Sequence, residues 1–290
     1  MADIQKVITD TEEFVPTKPL LLCIDSDGCA INSMTSKHTL CFGPLMIKEW
    51  ELWEHEKEIL ALWNRVNLYS STRGVNRFVG LATVLSEVDS LYCPVVGIED
   101  LLRWSESDEL SERSLMQKIE ANREVDIFKK ALLWSRAVNR ATAELGDNAI
   151  HPFEGVSEAL IYAGKNANVA VVSGADPEAL REEWTRYSLI RSADILLAQN
   201  AGSKSGCLAA LLEKGYEKDK VLMCGDSMGD LDAAKQNGVF FYPILAGHEN
   251  ESWHGFAEAF DAFCEGRFSE LAPALEEKFR NNLAVRKEQK

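Results

Sequence analysis

The sequence predicts an α/β protein: a Rossmann-like parallel sheet core interrupted by an inserted all-helical domain. Three observations carry this. Short apolar runs recur at residues 20–24, 169–172, 195–197, 221–224 and 239–242, each too short for a helix and bounded by turn residues. Helical patterns separate them, the alternation that builds parallel sheets. The block 45–146 has helical spacing throughout and no strand pattern. The expected division is residues 1–35 and 147–290 for the α/β core and 36–146 for the helical domain, a comfortable partition of 290 residues.

Taken in order, residues 1–18 are polar, and Pro16 and Pro19 fix the approach to the first strand. Leu20-Leu21-Leu22-Cys23-Ile24 is a strand buried on both faces, ending in Asp25-Ser26-Asp27-Gly28. Read alone, that ending is either a turn, since Asp and Gly favour turns, or a functional site. Two acids at such a point repel, and a cation, or a proton held by one of them, offsets the cost. Residues 30–44, closing with Phe42-Gly43-Pro44, read as a loop or hinge.

In the helical block, Leu52, Ile59, Leu62 and Val66 predict an amphipathic helix of about six turns. Further helices are expected over Gly74–Val88, from Ser107 or Ser111 to about Ala121, and over Val125–Leu145, closed by Gly146. Trp50, Trp53, Trp63 and Trp134 are expected in the core of this domain, with one of them free to line a pocket.

Beyond His151-Pro152 the pattern returns to α/β. Helices are predicted over Val156–Gly164, from Pro177 to about Tyr187, over Ser205–Lys214 and over Leu231–Gln236, alternating with the four later strands. Two more cover about 251–264 and 270–282, and Arg286–Lys290 reads as a frayed tail.

Bulk properties narrow the function. A net charge of −15 argues against non-specific binding to nucleic acid and against an anionic membrane surface. No apolar stretch reaches the ~18–20 residues needed to span a bilayer. Met1–Lys6 has no basic segment leading into an apolar run, so no secretory signal is expected. The seven cysteines include no Cys-x-x-Cys and sit mostly in apolar runs, which suits a reduced, cytoplasmic protein.

Three strands end in polar groups suited to one site: Asp25-x-Asp27, Ser173-Gly174 and Gly225-Asp226-x-x-x-Asp230, with Lys204 ahead of the third. In a parallel sheet these ends share an edge. The set suits phosphoryl transfer. A carboxylate acts as nucleophile when a cation screens it from the phosphate, Mg²⁺ takes one or two carboxylates, and a hydroxyl, a backbone N–H and a lysine hold phosphoryl oxygens. For Asp230 a helix-start acid is the alternative, for Lys204 a solvated helix-start lysine, and for Ser173 a strand-end cap.

Asp25-Ser26-Asp27-Gly28-Cys29, Val171-Val172-Ser173-Gly174, Lys204 and Gly225-Asp226-Ser227-Met228-Gly229-Asp230 resemble, in order, the four motifs of the haloacid dehalogenase (HAD) superfamily. The helical insertion is similar to the C1-type cap of its phosphatase and β-phosphoglucomutase-like branches, and His151–Val156 resembles the re-entry segment of such members. The resemblance implies an HAD-like fold and a role for each motif residue. Asp25 becomes the nucleophile. Asp27 becomes the acid and base, its carbonyl binding Mg²⁺. Asp25 and Asp226 are further metal ligands, Asp230 belongs to the metal site and orients a metal-bound water or Lys204, and Lys204 ties Asp25 to the substrate phosphate. Ser173 and Gly174 hold the phosphoryl group. An acid at Asp27 favours phosphate esters over haloalkanoates. Two residues depart from the pattern. Cys29 stands where Thr or Val is usual, with little expected effect on catalysis but an oxidisable site. Ser205-Gly206 replaces a proline-containing segment.

The expected function is an Mg²⁺-dependent phosphatase of a small phosphorylated metabolite, working through an aspartyl-phosphate under a mobile cap. The alternatives are a phosphomutase on the same core and a non-catalytic binding protein. Substrate recognition is assigned to Arg73 and Arg77, in the basic segment Ser70–Arg77, and to Lys37 and His38 near the hinge. For the segment the competing reading is a solvated helix start, and His151 reads as a structural loop residue.

Overall fold

The computed structural model describes residues 7–107, 109–121, 126–146 and 148–284. The segment Met1–Lys6, the helix start at Val125, the expected boundary at residue 147 and the tail Arg286–Lys290 lie outside the described residues. The chain forms two compact units, one of residues 7–33 with 150–284 and the other of residues 34–149.

The first unit holds a five-stranded sheet: β1 (Leu20–Ile24), β2 (Ala167–Val172), β3 (Ile195–Leu197), β4 (Val221–Gly225) and β5 (Phe240–Pro243). The order is β3-β2-β1-β4-β5, and every pairing is parallel. β1, β2, β3 and β4 are buried along their whole length, which is why their sequences run apolar instead of alternating. Leu20 pairs with Ala167 and Cys23 with Met223, so β1 lies between β2 and β4. The connection from β1 leads to one side of the sheet and the return to β4 lies on the other. The ends of β1 and β4 therefore flank a topological switch point, where ligands bind in open α/β sheets.

The second unit contains no strand among its described residues. It comprises α1 (Met34–Lys37), a π-helical turn at His38–Phe42, α2 (Gly43–Trp50), α3 (Glu56–Leu68), α4 (Arg77–Leu91), α5 (Ile98–Ser105), α6 (Glu112–Ala121) and α7 (Asp126–Ala143). The remaining helices belong to the first unit: α8 (Val156–Ala163), α9 (Pro177–Arg186), α10 (Lys204–Leu212), α11 (Met228–Asn237), α12 (Glu249–His254), α13 (Phe256–Cys264) and α14 (Phe268–Ala284). There α8 packs on β2 and α13, α11 on β4 and β5, and α14 on β5.

Several elements correct the sequence expectations. The six-turn helix is two helices. Glu51 takes a left-handed conformation at φ 57°, closing α2, and a 3-10 turn at Trp53–His55 leads into α3. Leu52 still packs inward at 6% exposure, so the apolar spacing survives the break and conceals it. Phe42-Gly43-Pro44 is helical and not a loop, with the proline tolerated in the first turn of α2. α5 had not been expected, although Gly97 followed by Ile98, Glu99 and Asp100 is a helix-start pattern. Trp63 and Trp134 are fully buried and meet edge to face at 5.9 Å, Trp50 packs partly buried against the same cluster, and Trp53 is exposed.

Candidate active site

Asp25 follows β1 directly, and its backbone N–H donates to the Cys224 carbonyl at 3.0 Å, which extends the sheet by one residue. The residue is 5% exposed. Oδ1 accepts from the Ser26 N–H at 2.8 Å, and Oδ2 lies 2.8 Å from the Lys204 ammonium. Lys204 is the first residue of α10, with Ser203 as N-cap. Its Nζ also donates to Asp230 Oδ1 at 2.6 Å, so one lysine spans two carboxylates. The other Asp230 oxygen accepts from the Ser227 hydroxyl at 2.6 Å and the Ser227 N–H at 3.1 Å, a capping box that starts α11. Asp230 is thus held on both oxygens and serves as an anchor for Lys204.

Gly225 is required by this packing: a Cβ there would stand 2.2 Å from the Asp230 Cβ. Gly28, at φ 79°, makes the turn that carries the chain past Asp27, and its N–H donates to the Ile31 carbonyl at 2.8 Å. The Ser33 hydroxyl donates to Asp27 Oδ1. The Asp27 carboxylate is therefore directed by Ser33 and stands apart from the buried trio Asp25, Asp226 and Asp230, whose oxygens come within 4.8 Å of one another. Ser173, 4% exposed, sits at the end of β2, donates its N–H to the Leu197 carbonyl, and accepts from the Ala175 N–H at its hydroxyl. Gly174 is exposed beside it.

The electrostatics follow from burial. Burial, opposed by the Lys204 ammonium and reinforced by Asp230 and Asp226, holds the Asp25 carboxyl well above the ordinary carboxylate range. Burial alone would lower Lys204, but Asp230 and Asp25 outweigh it and keep the ammonium charged beyond its ordinary value of 10.5. Three carboxyl groups face one ammonium. An all-oxygen donor set of this kind fits a small hard divalent cation such as Mg²⁺. Cys29 is fully buried. Burial, and then the charges of Asp226 and Asp25, push its thiol well above the ordinary value, so the expected oxidation sensitivity is corrected: thiolate is scarce there and solvent does not reach it.

The four candidates for substrate recognition all lie in the helical unit. Arg73 is 2% exposed and donates Nη1 to the Leu68 carbonyl at 2.9 Å. It is buried in the loop between α3 and α4. Arg77 donates to Asn139 Oδ1 at 2.6 Å and lies 5.1 Å over the Phe42 ring. His38 stacks on Phe42 at 4.6 Å and accepts at Nδ1 from the Trp63 indole, which puts a neutral imidazole's proton on Nε2. Lys37 is half-buried at the end of α1. His151 places Nδ1 3.0 Å from the Pro152 carbonyl, in keeping with a loop role.

Sequence reasoning passed over Ser26, Ser33 and Ser227. The Ser227-x-x-Asp230 spacing is a capping-box signature that could have found the last; the first two carry no comparable signal.

The family model described as haloacid dehalogenase-like hydrolase matches residues 102–244. The match spans 143 of the 290 residues and agrees with the parallel α/β sheet and with the resemblance of the ordered motifs to the haloacid dehalogenase superfamily. No protein of curated function matches the sequence. Among solved structures, a haloacid dehalogenase-like family hydrolase from Xanthomonas campestris is similar at 12% identity, covering 91% of this chain and 99% of that one, TM-score 0.49. A protein predicted to be a phosphoglycolate phosphatase, from Haemophilus somnus 129PT, is similar at 15% identity over 78% and 85%, TM-score 0.47. A β-phosphoglucomutase candidate from Thermotoga maritima is similar at 15% over 83% and 98%, TM-score 0.46. At these values the likenesses carry no functional argument.

Proposed function

We propose that the chain is an Mg²⁺-dependent phosphatase of a small phosphorylated metabolite, working through an aspartyl-phosphate on Asp25. The observation that carries this reading is a buried carboxylate at the end of the central strand, with one oxygen on Lys204 and that lysine anchored in turn by Asp230. A structural ion pair has no need of a second acid two residues on, directed by its own serine, or of a serine and glycine at the end of the adjacent strand.

Asp25 attacks phosphorus, and the bond to the ester oxygen breaks as Asp27 gives that oxygen its proton. Asp27, now ionised, takes a proton from water. The water oxygen attacks phosphorus, the bond to Asp25 breaks, and inorganic phosphate leaves. Ser173 and the Gly174 N–H hold phosphoryl oxygens, and Lys204 screens Asp25 from the approaching anion. Mg²⁺, for which Asp25, Asp226 and the Asp27 carbonyl are the proposed ligands, would supply neutralisation of charge on the transferred group.

Phosphate release from a panel of phosphate esters, with Mg²⁺ and with EDTA, tests the reading. The expected result is Mg²⁺-dependent release that Asp25→Asn abolishes. A phosphomutase would return an isomerised sugar phosphate in place of inorganic phosphate, and a pure binding protein would turn over nothing.

A further inference from the structure

The residue between the two acids, Ser26, is fully buried and uses all three of its backbone and side-chain polar groups. Its N–H donates to Asp25 Oδ1 at 2.8 Å. Its carbonyl accepts from the Ala30 and Ile31 N–H groups at 3.0 and 2.9 Å, which folds the chain into the turn beyond Asp27. Its hydroxyl accepts from the Trp184 indole N–H at 2.9 Å. Trp184 is itself fully buried, in α9, the helix that begins four residues after Ser173.

We propose that Trp184 is a positioning residue for the nucleophile: its indole N–H pins Ser26, and Ser26 in turn sets the orientation of Asp25 and the spacing to Asp27. The argument is geometric. A carboxylate rotates about two side-chain bonds, and Asp25 is fixed by two contacts, Lys204 on Oδ2 and the Ser26 N–H on Oδ1. The second holds only while the Ser26 peptide keeps its orientation. The Trp184 bond supplies that restraint from outside the loop, from a rigid helix rather than from a neighbour in the same turn. It also ties the nucleophile's loop to the element that follows the phosphate-holding Ser173-Gly174. A misplacement of about 1 Å can cost ~100-fold in rate, so a restraint one residue from the nucleophile has leverage on turnover and little on substrate affinity.

This inference rests on the phosphatase reading, and its test separates the two. Trp184→Phe keeps most of the packing and removes the donor; Ser26→Ala removes the acceptor with less disturbance to the core. Each variant and the double variant are assayed with p-nitrophenyl phosphate and Mg²⁺, and amide hydrogen exchange is followed over residues 24–31. The expected result is a kcat about 10-fold or more lower in each single variant with KM within about twofold, no further loss in the double variant, and faster exchange confined to that loop. Multiplying losses in the double variant, an unchanged kcat in Ser26→Ala, or exchange that is unaltered in the loop overturns the proposal. If the wild type releases no phosphate, the phosphatase reading fails, and the exchange result still decides whether Trp184 restrains the loop.

Discussion

Asp25 sets two requirements against each other. Burial favours its neutral form, while on the proposed reading attack on phosphorus needs the ionised one, a cost at this residue that a bound cation would relieve. Replacing it removes both. Asp25→Asn is expected to lower phosphate release by ~1,000-fold or more and to leave the metal-free protein as stable as the parent or more so, by about 2–4 °C in Tm for each kcal/mol recovered. Thermal unfolding in EDTA beside a phosphate assay checks both halves; a clear loss of stability would mean that the carboxylate is a structural partner of Lys204. Asp27→Asn is expected to cost about 100- to 10,000-fold, and less for esters with acidic leaving groups, which need no proton. A uniform loss across a leaving-group series would argue against a proton donor at Asp27. Read alone, two acids closing an apolar run are as much a turn as a site; Asp25 and Asp27 became site candidates in the sequence only beside Ser173, Lys204 and Asp226. Of the three serines that hold the acids, Ser227 carries a readable capping-box spacing, while Ser26, acting through its backbone N–H, and Ser33 carry no comparable signal.

At the scale of the element, the start of α11 carries the site's support. Ser227 caps the helix and fixes Asp230, Asp230 fixes Lys204, and Gly225 leaves the room. Ser227→Ala is expected to cost about 1 kcal/mol through the lost cap and to lower kcat more than it raises KM. Gly225→Ala forces a Cβ into Asp230, with an expected loss of about 1–3 kcal/mol and most of the activity. Denaturant titration and steady-state kinetics on the two variants check this; a Gly225→Ala protein of parental activity would contradict the packing. All five strands were legible, because burial on both faces writes continuous apolar runs. The helix break at Glu51 was not, because Leu52 is buried by the link as it would have been by a continuous helix. The burial of Arg73 against the Leu68 carbonyl was likewise not legible, since a basic residue in a polar segment reads as exposed.

For the whole molecule, net acidity and an excess of buried carboxylates predict how stability follows pH and metal. With the folded-state value of Asp25 raised, the native protein binds more protons than the unfolded chain above the ordinary value of 3.8. Stability of the metal-free protein therefore falls as pH rises through the range between that value and the raised one, and Asp25→Asn flattens the slope. Lys204 contributes stability that is present at and below 10.5 and lost as pH rises through its higher folded value. Mg²⁺ is expected to raise stability by about 2.7 kcal/mol at a concentration 100 times its dissociation constant. Chemical denaturation from pH 5 to 8, with EDTA and with Mg²⁺, reads these effects; a metal-free stability that rises with pH would contradict the charge balance. Among the described residues no helix is long and apolar enough to cross a membrane. The chain divides into a sheet-bearing and a helical unit, and strand pattern is absent from the sequence between residues 45 and 146, because helical and strand periodicities differ along the chain itself.

The central claim is that Asp25 takes the phosphoryl group. Its most direct test is acid-quenched incubation with a phosphate ester and Mg²⁺, followed by mass analysis of the peptide containing Asp25. The account predicts one phosphoryl adduct on that peptide, located at Asp25, absent with EDTA and absent in Asp25→Asn. Turnover with no adduct at any quench time, or phosphate release that survives Asp25→Asn, would contradict it.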